Sequence, residues 1–429
     1  HTSRRVRLRG KKKFTADMVT WLQKINIFLA TIIVLISFSL YTSVPADLED
    51  PWIVRTYIAA LRSANFLANT LELLSSVPSI TTLRYLVEAA YFPIRLPNTL
   101  LHIEDFKING LNVRLYRPKS AVELSPCILY FHGGGWSLFS IDSYDSVTRD
   151  LAQHTNTVVI SVEYRQSPEF SFPVPFDDCL RVTQHILQNG LKYKIDSHRV
   201  ALLGDSTGAN LAAAVALRIS EEDPGFTPHV RLQVLLQPVL QAFTFDTPSY
   251  RLYSDNTFPG RSQILKFWCY YLGIQPTQDV VSSFQKNDHV SHSLRTSIYS
   301  HYLSESQLPE SVREKSPANS LDRYSNQYDQ NLALKVESKV IDPFVSPLLA
   351  DVLNASPPTY ILVAEADVVR DDGLLYASRL RAANVSVELK HVHNQSHFFL
   401  APKLPSGILT FTSADETWRE IYQFISKNV

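Results

Sequence analysis

The most constraining feature of this 429-residue chain is the sequence Gly-Asp-Ser-Thr-Gly at residues 204–208, which separates two apolar segments of different character. The short apolar run 200–203 precedes it, and the longer alanine-rich run 210–217 follows it. A strand, a sharp turn and a helix in this order are typical of a nucleophile elbow, which presents one serine hydroxyl at the end of the strand. The sequence therefore predicts that Ser206 is a nucleophile, with a plain turn between a strand and a helix as the alternative.

A second glycine-rich stretch follows the apolar run 127–131 and reads His132-Gly133-Gly134-Gly135-Trp136. Successive glycines leave backbone N–H groups uncovered, and such donors stabilise negative charge that develops on a substrate oxygen in the transition state. The N–H of Thr207, the residue after the nucleophile, would complete the set. A phosphate loop is the alternative, but neither a following Lys-Ser/Thr pair nor a G-x-G-x-x-G pattern is present. We predict an oxyanion hole formed by residues 132–135 and Thr207.

From residue 111 onward, short apolar runs alternate with amphipathic segments. This alternation predicts an α/β fold with a mostly parallel central sheet and helices on both faces. At the C-terminus, Ser413 and Glu416 have capping-box spacing before an apolar stripe at 418–425, which predicts a docked helix. The predicted strands are 111–116, 127–131, 158–162, 200–203, 232–236, 360–363 and 385–391, and the predicted helices are 143–153, 176–188, 207–218 and 373–382.

The segment 241–345 interrupts this alternation because it is long, polar and rich in Ser, Tyr and Asn. A structureless loop of that length is improbable within a domain. We interpret it as a largely helical cap insertion, helical at 262–272, between two parts of the predicted α/β core at 111–240 and 346–429. Residues 45–110 are interpreted as an N-terminal cap segment.

Residues 25–44 contain no charged side chain and are apolar almost throughout. About 20 such residues match a hydrocarbon thickness of roughly 30 Å. Eight Lys and Arg residues and one acid precede this run within 1–24, whereas Asp47, Glu49 and Asp50 follow it. A signal peptide has a shorter apolar core, and a buried core helix lacks such charge asymmetry. We therefore predict a transmembrane signal anchor with a basic cytosolic N-terminus.

A nucleophilic serine needs a histidine base and an acid that orients it, in the chain order Ser, Asp or Glu, His for an elbow of this kind. Several acids follow the predicted strand 360–363, and several histidines follow the next predicted strand. The residue pattern by itself leaves these alternatives open. The candidate acids are Glu365, Asp367, Asp371 and Asp372, and the candidate bases are His391, His393 and His397.

Together these motifs resemble the hormone-sensitive-lipase group of α/β-hydrolases, and in particular its arylacetamide deacetylase-like branch, over nearly the whole chain. The similarity extends to Tyr164-Arg165, to 345–351 and to Asp-Val-Val-Arg-Asp-Asp-Gly at 367–373. The resemblance implies that Asp367 is the acid and that His397, 30 residues later (397 − 367 = 30), is the base. Asp371 and Asp372 are then salt-bridge or helix N-terminal residues.

The chain departs from the family at several positions. Thr207 replaces the usual alanine, and its branched side chain is expected to narrow the site. Phe398 stands where the family usually has glycine, which predicts a shift of the His397 loop. Ser137 and Ala364 occupy the positions of a cysteine pair common in the branch, so no bridge is expected there.

The resemblance implies a carboxylic ester hydrolase that acts on lipophilic esters or arylamides through an acyl-enzyme at Ser206, without metal or cofactor. It also implies a single-pass type II protein of the endoplasmic reticulum membrane with a luminal catalytic domain. An acyltransferase with the same triad and an inactive hydrolase-fold binding module are the alternatives. The 41 basic and 41 acidic residues balance, so nucleic acid is not an expected partner, and the sequence is silent on oligomeric state.

Overall fold

The computed structural model describes residues 42–91, 99–222, 230–315, 327–403, 407 and 409–429. Its centre is an eight-stranded sheet in the order β1-β2-β4-β3-β5-β6-β7-β8. Strands β3 to β8 pair in parallel, whereas β1 and β2 are antiparallel to their neighbours, so the predicted mostly parallel sheet is confirmed. The strands are β1 (Leu101–Ile108), β2 (Leu111–Pro118), β3 (Ser125–Phe131), β4 (Val158–Val162), β5 (Ile195–Asp205), β6 (Val230–Leu236), β7 (Thr359–Ala366) and β8 (Val387–Ser396).

Helices cover both faces of this sheet. Every residue of β4 and β7 is buried, and because successive strand side chains point to opposite faces, both faces must be covered. Helices of the core are α3 (Asp145–Thr155), α4 (Val174–Asn189), α5 (Thr207–Glu222), α13 (Arg370–Ala382) and α14 (Ala414–Asn428). Those outside it are α1 (Pro51–Leu74), α2 (Ser79–Tyr91), α6 (Pro248–Tyr253), α7 (Arg261–Leu272), α8 (Gln278–Gln285), α9 (His292–Arg295), α10 (Ile298–Tyr302), α11 (Glu310–Glu314) and α12 (Gln330–Val340).

Two local predictions differ from the structure. Strand β1 lies inside the segment 45–110, which was interpreted as cap, and it extends the core sheet to Leu101. As an edge strand it leaves about half of its positions accessible, so it carries little apolar alternation in the sequence. Helix α14 is present, but the capping box is wrong: Ser413 has helical dihedral angles, and its side chain makes no capping hydrogen bond.

The segment 241–345 contributes helices α6 to α12 between β6 and β7, and α7 confirms the predicted helix at 262–272. Aromatic rings of α7 pack against the glycine-rich loop after β3. Trp136 stacks on Tyr271 with ring centroids 4.1 Å apart and contacts Trp268 at 4.6 Å. Helix α7 of the inserted segment therefore lies against the glycine loop.

Most of the predicted membrane span 25–44 lies outside the described residues. Its last three residues are described; they belong to no helix or strand, and Val44 packs against the core. Within the described ranges, no helix combines the length and apolar character needed to cross a bilayer. The anchor stays a prediction.

Candidate active site

Ser206 forms the turn between β5 and α5, as its motif predicts. β5 ends one residue before it and α5 begins one residue after it. Its φ of 53° lies in the left-handed region, a conformation that persists in a serine only where the surroundings enforce it. The N–H of Ser206 donates to the carbonyl of Leu236 at 2.8 Å. A Cβ at Gly208 would overlap the carbonyl oxygen of Phe131, so this close approach requires glycine.

The glycine loop after β3 lies directly against the elbow. Gly134 and Gly135 have φ values of 108° and 66°, which strongly favour glycine. The backbone N–H groups of Gly134, Gly135 and Thr207 have no acceptor among the described residues, and all three residues line the same cavity as Ser206. These donors can therefore receive an oxygen anion.

The predicted oxyanion hole included His132 and Gly133, and this part of the prediction differs from the structure, because neither residue lines the cavity. The N–H of Gly133 donates to Asp205 Oδ1 at 3.1 Å. His132 is completely buried, and its ring stacks on Tyr164 at 4.4 Å. Burial lowers the pKa of His132 to about 4, so its ring is neutral near pH 7. Both residues support the loop without supplying a donor to the cavity.

Asp205 has a role that the sequence analysis missed. Its half-buried carboxylate accepts hydrogen bonds from Tyr130 at 2.7 Å and Tyr144 at 2.6 Å, in addition to the N–H of Gly133. Desolvation raises the pKa of this carboxyl, while the three hydrogen bonds oppose that rise. Since Asp205 precedes the nucleophile, its contacts join the elbow to the glycine loop. No sequence pattern indicates these tyrosine partners.

Thr207 makes a second junction between the elbow and the glycine loop. Its hydroxyl accepts a hydrogen bond from the N–H of Trp136 at 3.2 Å. The alanine that usually stands at this position in the family could not form this bond.

His397 joins Ser206 to Asp367. His397 Nε2 lies 2.8 Å from Ser206 Oγ, and its Nδ1 lies 2.7 Å from Asp367 Oδ2. The other carboxylate oxygen of Asp367 accepts the N–H of Val369 at 3.0 Å, which holds the completely buried acid in place. The structure thus brings together the three residues that the resemblance selected.

Phe398, where the family usually has glycine, does not carry His397 away from the serine. Its ring packs edge-on against Tyr57 and Phe258, with centroids 4.9 Å away in both cases. The substituted residue therefore fills space beside α1 and leaves the histidine in contact with Ser206.

The other candidate acid and bases form a separate cluster. His391 Nε2 and His393 Nδ1 lie 2.8 Å and 3.1 Å from Glu365 Oε2, while Lys315 and Arg370 each approach Oε1 at 3.4 Å. These partners, His391 foremost, hold the pKa of Glu365 well below its usual value. The three ligand atoms could surround a cation, but two fixed positive groups already neutralise the carboxylate. We interpret the cluster as an ion-pair network.

Asp371 and Asp372 have the structural positions that the sequence analysis expected. Both are buried in the first turn of α13. Asp371 accepts the N–H of Ser249 at 2.7 Å and pairs with Arg370, and Asp372 accepts the N–H of Leu240 at 2.9 Å. The two carboxylates therefore fix the segment after β6 against α13.

Ser206 and His397 face a cavity of about 330 Å³ with largely apolar walls. Its walls come from α1, α2, the glycine loop, α7 and the chain after His397. Among the described lining residues, Asp205 is the one carboxylate, and no lysine or arginine contributes. Such a cavity suits an uncharged, apolar group bound next to the serine.

Comparison with known proteins agrees with this architecture. A family model for the α/β-hydrolase fold matches residues 128–302 and 296–401. Neutral cholesterol ester hydrolase 1 of Rattus norvegicus is 31% identical over 90% of this chain and 93% of its own length. Arylacetamide deacetylase of Bos taurus is 31% identical over 92% and 96%, respectively.

A solved structure of a thermostable esterase from Pseudomonas putida aligns with a TM-score of 0.59 at 22% identity, covering 86% of this chain and 97% of that one. At this identity the alignment supports the fold alone. Together with the elbow and the two relatives, it establishes that this chain belongs to the α/β-hydrolase fold family, in the hormone-sensitive-lipase-like group that resembles arylacetamide deacetylase.

Proposed function

We propose that this chain is a membrane-anchored serine carboxylic ester hydrolase that acts on lipophilic acyl esters or arylamides. One observation carries the proposal: the hydrogen-bonded series Ser206, His397, Asp367 lies at an apolar cavity that is also lined by three residues whose backbone N–H groups have no acceptor among the described residues. A nucleophile, a base, an orienting acid and oxyanion donors are the parts that acyl transfer requires.

We propose one step for each group, and the distances support it. His397 Nε2 takes the proton of Ser206 Oγ as that oxygen attacks the substrate carbonyl carbon, and the resulting oxyanion meets the N–H groups of Gly134, Gly135 and Thr207. The C–O or C–N bond of the substrate then breaks, and His397 protonates the departing alcohol or amine. Water then takes the place of the departed alcohol or amine and attacks the acyl-enzyme, and the same steps in reverse release the carboxylic acid product. Asp367 holds the Nδ1 proton of His397 throughout.

Three observations support a lipophilic substrate at a membrane. The cavity has largely apolar walls. The two relatives are a neutral cholesterol ester hydrolase and an arylacetamide deacetylase. Residues 25–44 have the composition of a membrane anchor. The flanking charges favour a single-pass type II orientation. The resemblance to the deacetylase branch is the support for a luminal catalytic domain in the endoplasmic reticulum.

Hydrolysis of p-nitrophenyl esters of increasing acyl length tests the proposed activity. The full chain should hydrolyse them, and Ser206→Ala should abolish turnover and labelling by a fluorophosphonate probe. Equal hydrolysis by Ser206→Ala would refute the assignment of the nucleophile. Absence of labelling in the unaltered chain would favour the inactive binding module, and transfer of the acyl group to an added alcohol in preference to water would favour the acyltransferase.

The anchor has its own test. After expression in cells, alkaline carbonate extraction should leave the full chain in the membrane pellet, together with an integral membrane marker. Release into the supernatant would refute the anchor without bearing on the triad.

A further inference from the structure

Helices α1 and α2, joined by the turn 75–78, form a hairpin that presents apolar side chains on two opposite faces. Its inner face lines the cavity beside Ser206, with α1 contributing Tyr57, Leu61 and Ala64 at helical spacing. On the outer face of α1, Trp52 is 67% exposed and Phe66 is 75% exposed. These two residues are 14 positions apart (66 − 52 = 14), which is about four turns, so they share one face.

The end of the hairpin continues this outer apolar face. Leu73 and Leu74 are 88% and 79% exposed, and Leu71 and Val77 are exposed as well. Glu72 is the one charged residue between positions 66 and 78. Of the 17 exposed large apolar side chains in the described ranges, eight lie between residues 51 and 91. A concentration of this kind marks a contact surface, whereas singly scattered apolar residues do not.

The position of residue 42, near the end of the apolar run 25–44, indicates what this surface contacts. Arg55 Nε donates to the carbonyl of Thr42 at 3.1 Å, and Arg62 Nη1 donates to the Thr42 hydroxyl at 2.9 Å. Residue 42 therefore lies against α1 at the point where the apolar run 25–44 ends. The guanidinium of Arg55 also lies over the ring of Trp52, 4.8 Å from its centroid. Arginine and tryptophan side by side are typical of the boundary between lipid and water.

We infer that the outer face and tip of the hairpin dock on a phospholipid surface, so that an ester dissolved in the lipid reaches the cavity along the inner face. This inference rests on the proposed membrane-anchored hydrolase and names the route of its substrate. Only the thickness of one helical layer, about 10 Å, separates the docked surface from the cavity. The lipid ester thereby avoids transfer through water. The free energy of that transfer is strongly unfavourable for a long acyl chain.

The first test compares a lipid-embedded substrate with a soluble one. The full chain is reconstituted in phosphatidylcholine vesicles and assayed with 4-methylumbelliferyl oleate in the bilayer and p-nitrophenyl butyrate in solution. Leu73→Glu/Leu74→Glu places two charges at the tip without touching a cavity-lining residue. It should lower oleate hydrolysis about tenfold and leave butyrate hydrolysis within about twofold of the unaltered chain.

A matched control places the same charges elsewhere. Leu191 and Leu334 are 74% and 78% exposed outside the hairpin, so Leu191→Glu/Leu334→Glu should change neither rate. An equal fall of both rates in the tip variant, or an unchanged oleate rate, would overturn the docking surface. If the unaltered chain fails to hydrolyse butyrate, the proposed function is wrong, and the docking surface is then judged by the second test.

The second test does not depend on activity. The three native cysteines are buried, so Leu73→Cys supplies an accessible thiol for an environment-sensitive nitrobenzoxadiazole label. In vesicles, doxyl-labelled phosphatidylcholine should quench this label strongly and the same label at Leu334→Cys weakly. Equal quenching at both positions, or a label at position 73 that is shielded from water but not quenched, would overturn the inference. The second outcome would place the chain's own N-terminal segment on the hairpin.

Discussion

Replacing Asp205 with alanine removes the acceptor that connects the glycine loop to the elbow. Three donors converge on this half-buried carboxylate, and one of them is the N–H of Gly133, which neighbours the proposed oxyanion donors Gly134 and Gly135. Without this tether the loop loses its fixed position. Loss of one well-placed oxyanion donor costs about 3–4 kcal/mol, or roughly 10²–10³-fold in kcat. We expect Asp205→Ala to lower kcat by about 10²-fold and to change KM by less than about threefold, because the donors act on the transition state.

Tyr130→Phe is the matched control for this experiment. It removes one hydrogen bond to the same carboxylate but leaves the contact between Asp205 and Gly133, and Tyr130 does not line the cavity. It should lower the free energy of unfolding by about 2 kcal/mol and leave kcat nearly unchanged. Steady-state kinetics with p-nitrophenyl butyrate and denaturant unfolding of both variants measure these effects. Equal losses of kcat in the two variants, or an unaltered kcat in Asp205→Ala, would refute the tether.

Three further outcomes follow from the site. In Gly135→Ala, the new methyl group would overlap the ring of Phe267 at a φ of 66°, so kcat should fall at least about tenfold; an active variant would contradict the need for glycine there. Burial lowers the pKa of His132 from 6.5 to about 4, so the folded chain binds this proton less readily than the unfolded chain. Stability is therefore full above pH 6.5 and declines by about 3 kcal/mol as the pH falls towards 4, and unfolding of His132→Gln near pH 5 and pH 8 should show a smaller decline. Phe398→Ala removes a ring that packs on Tyr57 in the cavity wall. In the p-nitrophenyl ester series this variant should prefer a longer acyl chain than the unaltered chain does. An unchanged preference for acyl length would contradict this role of Phe398.

Local sequence patterns predicted the elements whose conformation depends on neighbouring residues. The seven predicted strands all occur, and the elbow lies between β5 and α5 because an apolar strand, a glycine-flanked serine and an alanine-rich helix stand in succession. Strand β1 was not predicted because it is an edge strand, paired on one side only, and much of it is accessible to solvent. The capping box at Ser413 was wrong because the spacing of two residues does not determine the dihedral angles of the first.

The choice of acid and base depended on pairing between distant strands. Along β7 and β8, Ala364 pairs with Val392, and Ala366 pairs with Ser396. Two residues of β7 (366 − 364 = 2) therefore lie opposite four of β8 (396 − 392 = 4), so the register shifts. The next residues along the two strands are Asp367 and His397, and they meet. Periodicity cannot foresee such a bulge, which is why the residue pattern left three histidines open and the family resemblance was needed to choose among them.

The amino-acid sequence by itself determined the serine on its sharp turn and the glycines that leave N–H groups uncovered, because both depend on backbone conformations open to a few neighbouring residues. Only the tertiary structure decided which of those N–H groups stay without an acceptor beside the cavity. Asp205 accepts the N–H of Gly133, whereas Gly134, Gly135 and Thr207 line the cavity and have no acceptor for their N–H groups among the described residues. The reason is physical: a donor is available only where folding brings no acceptor to it, and acceptors such as the Asp205 carboxylate arrive from residues far along the chain.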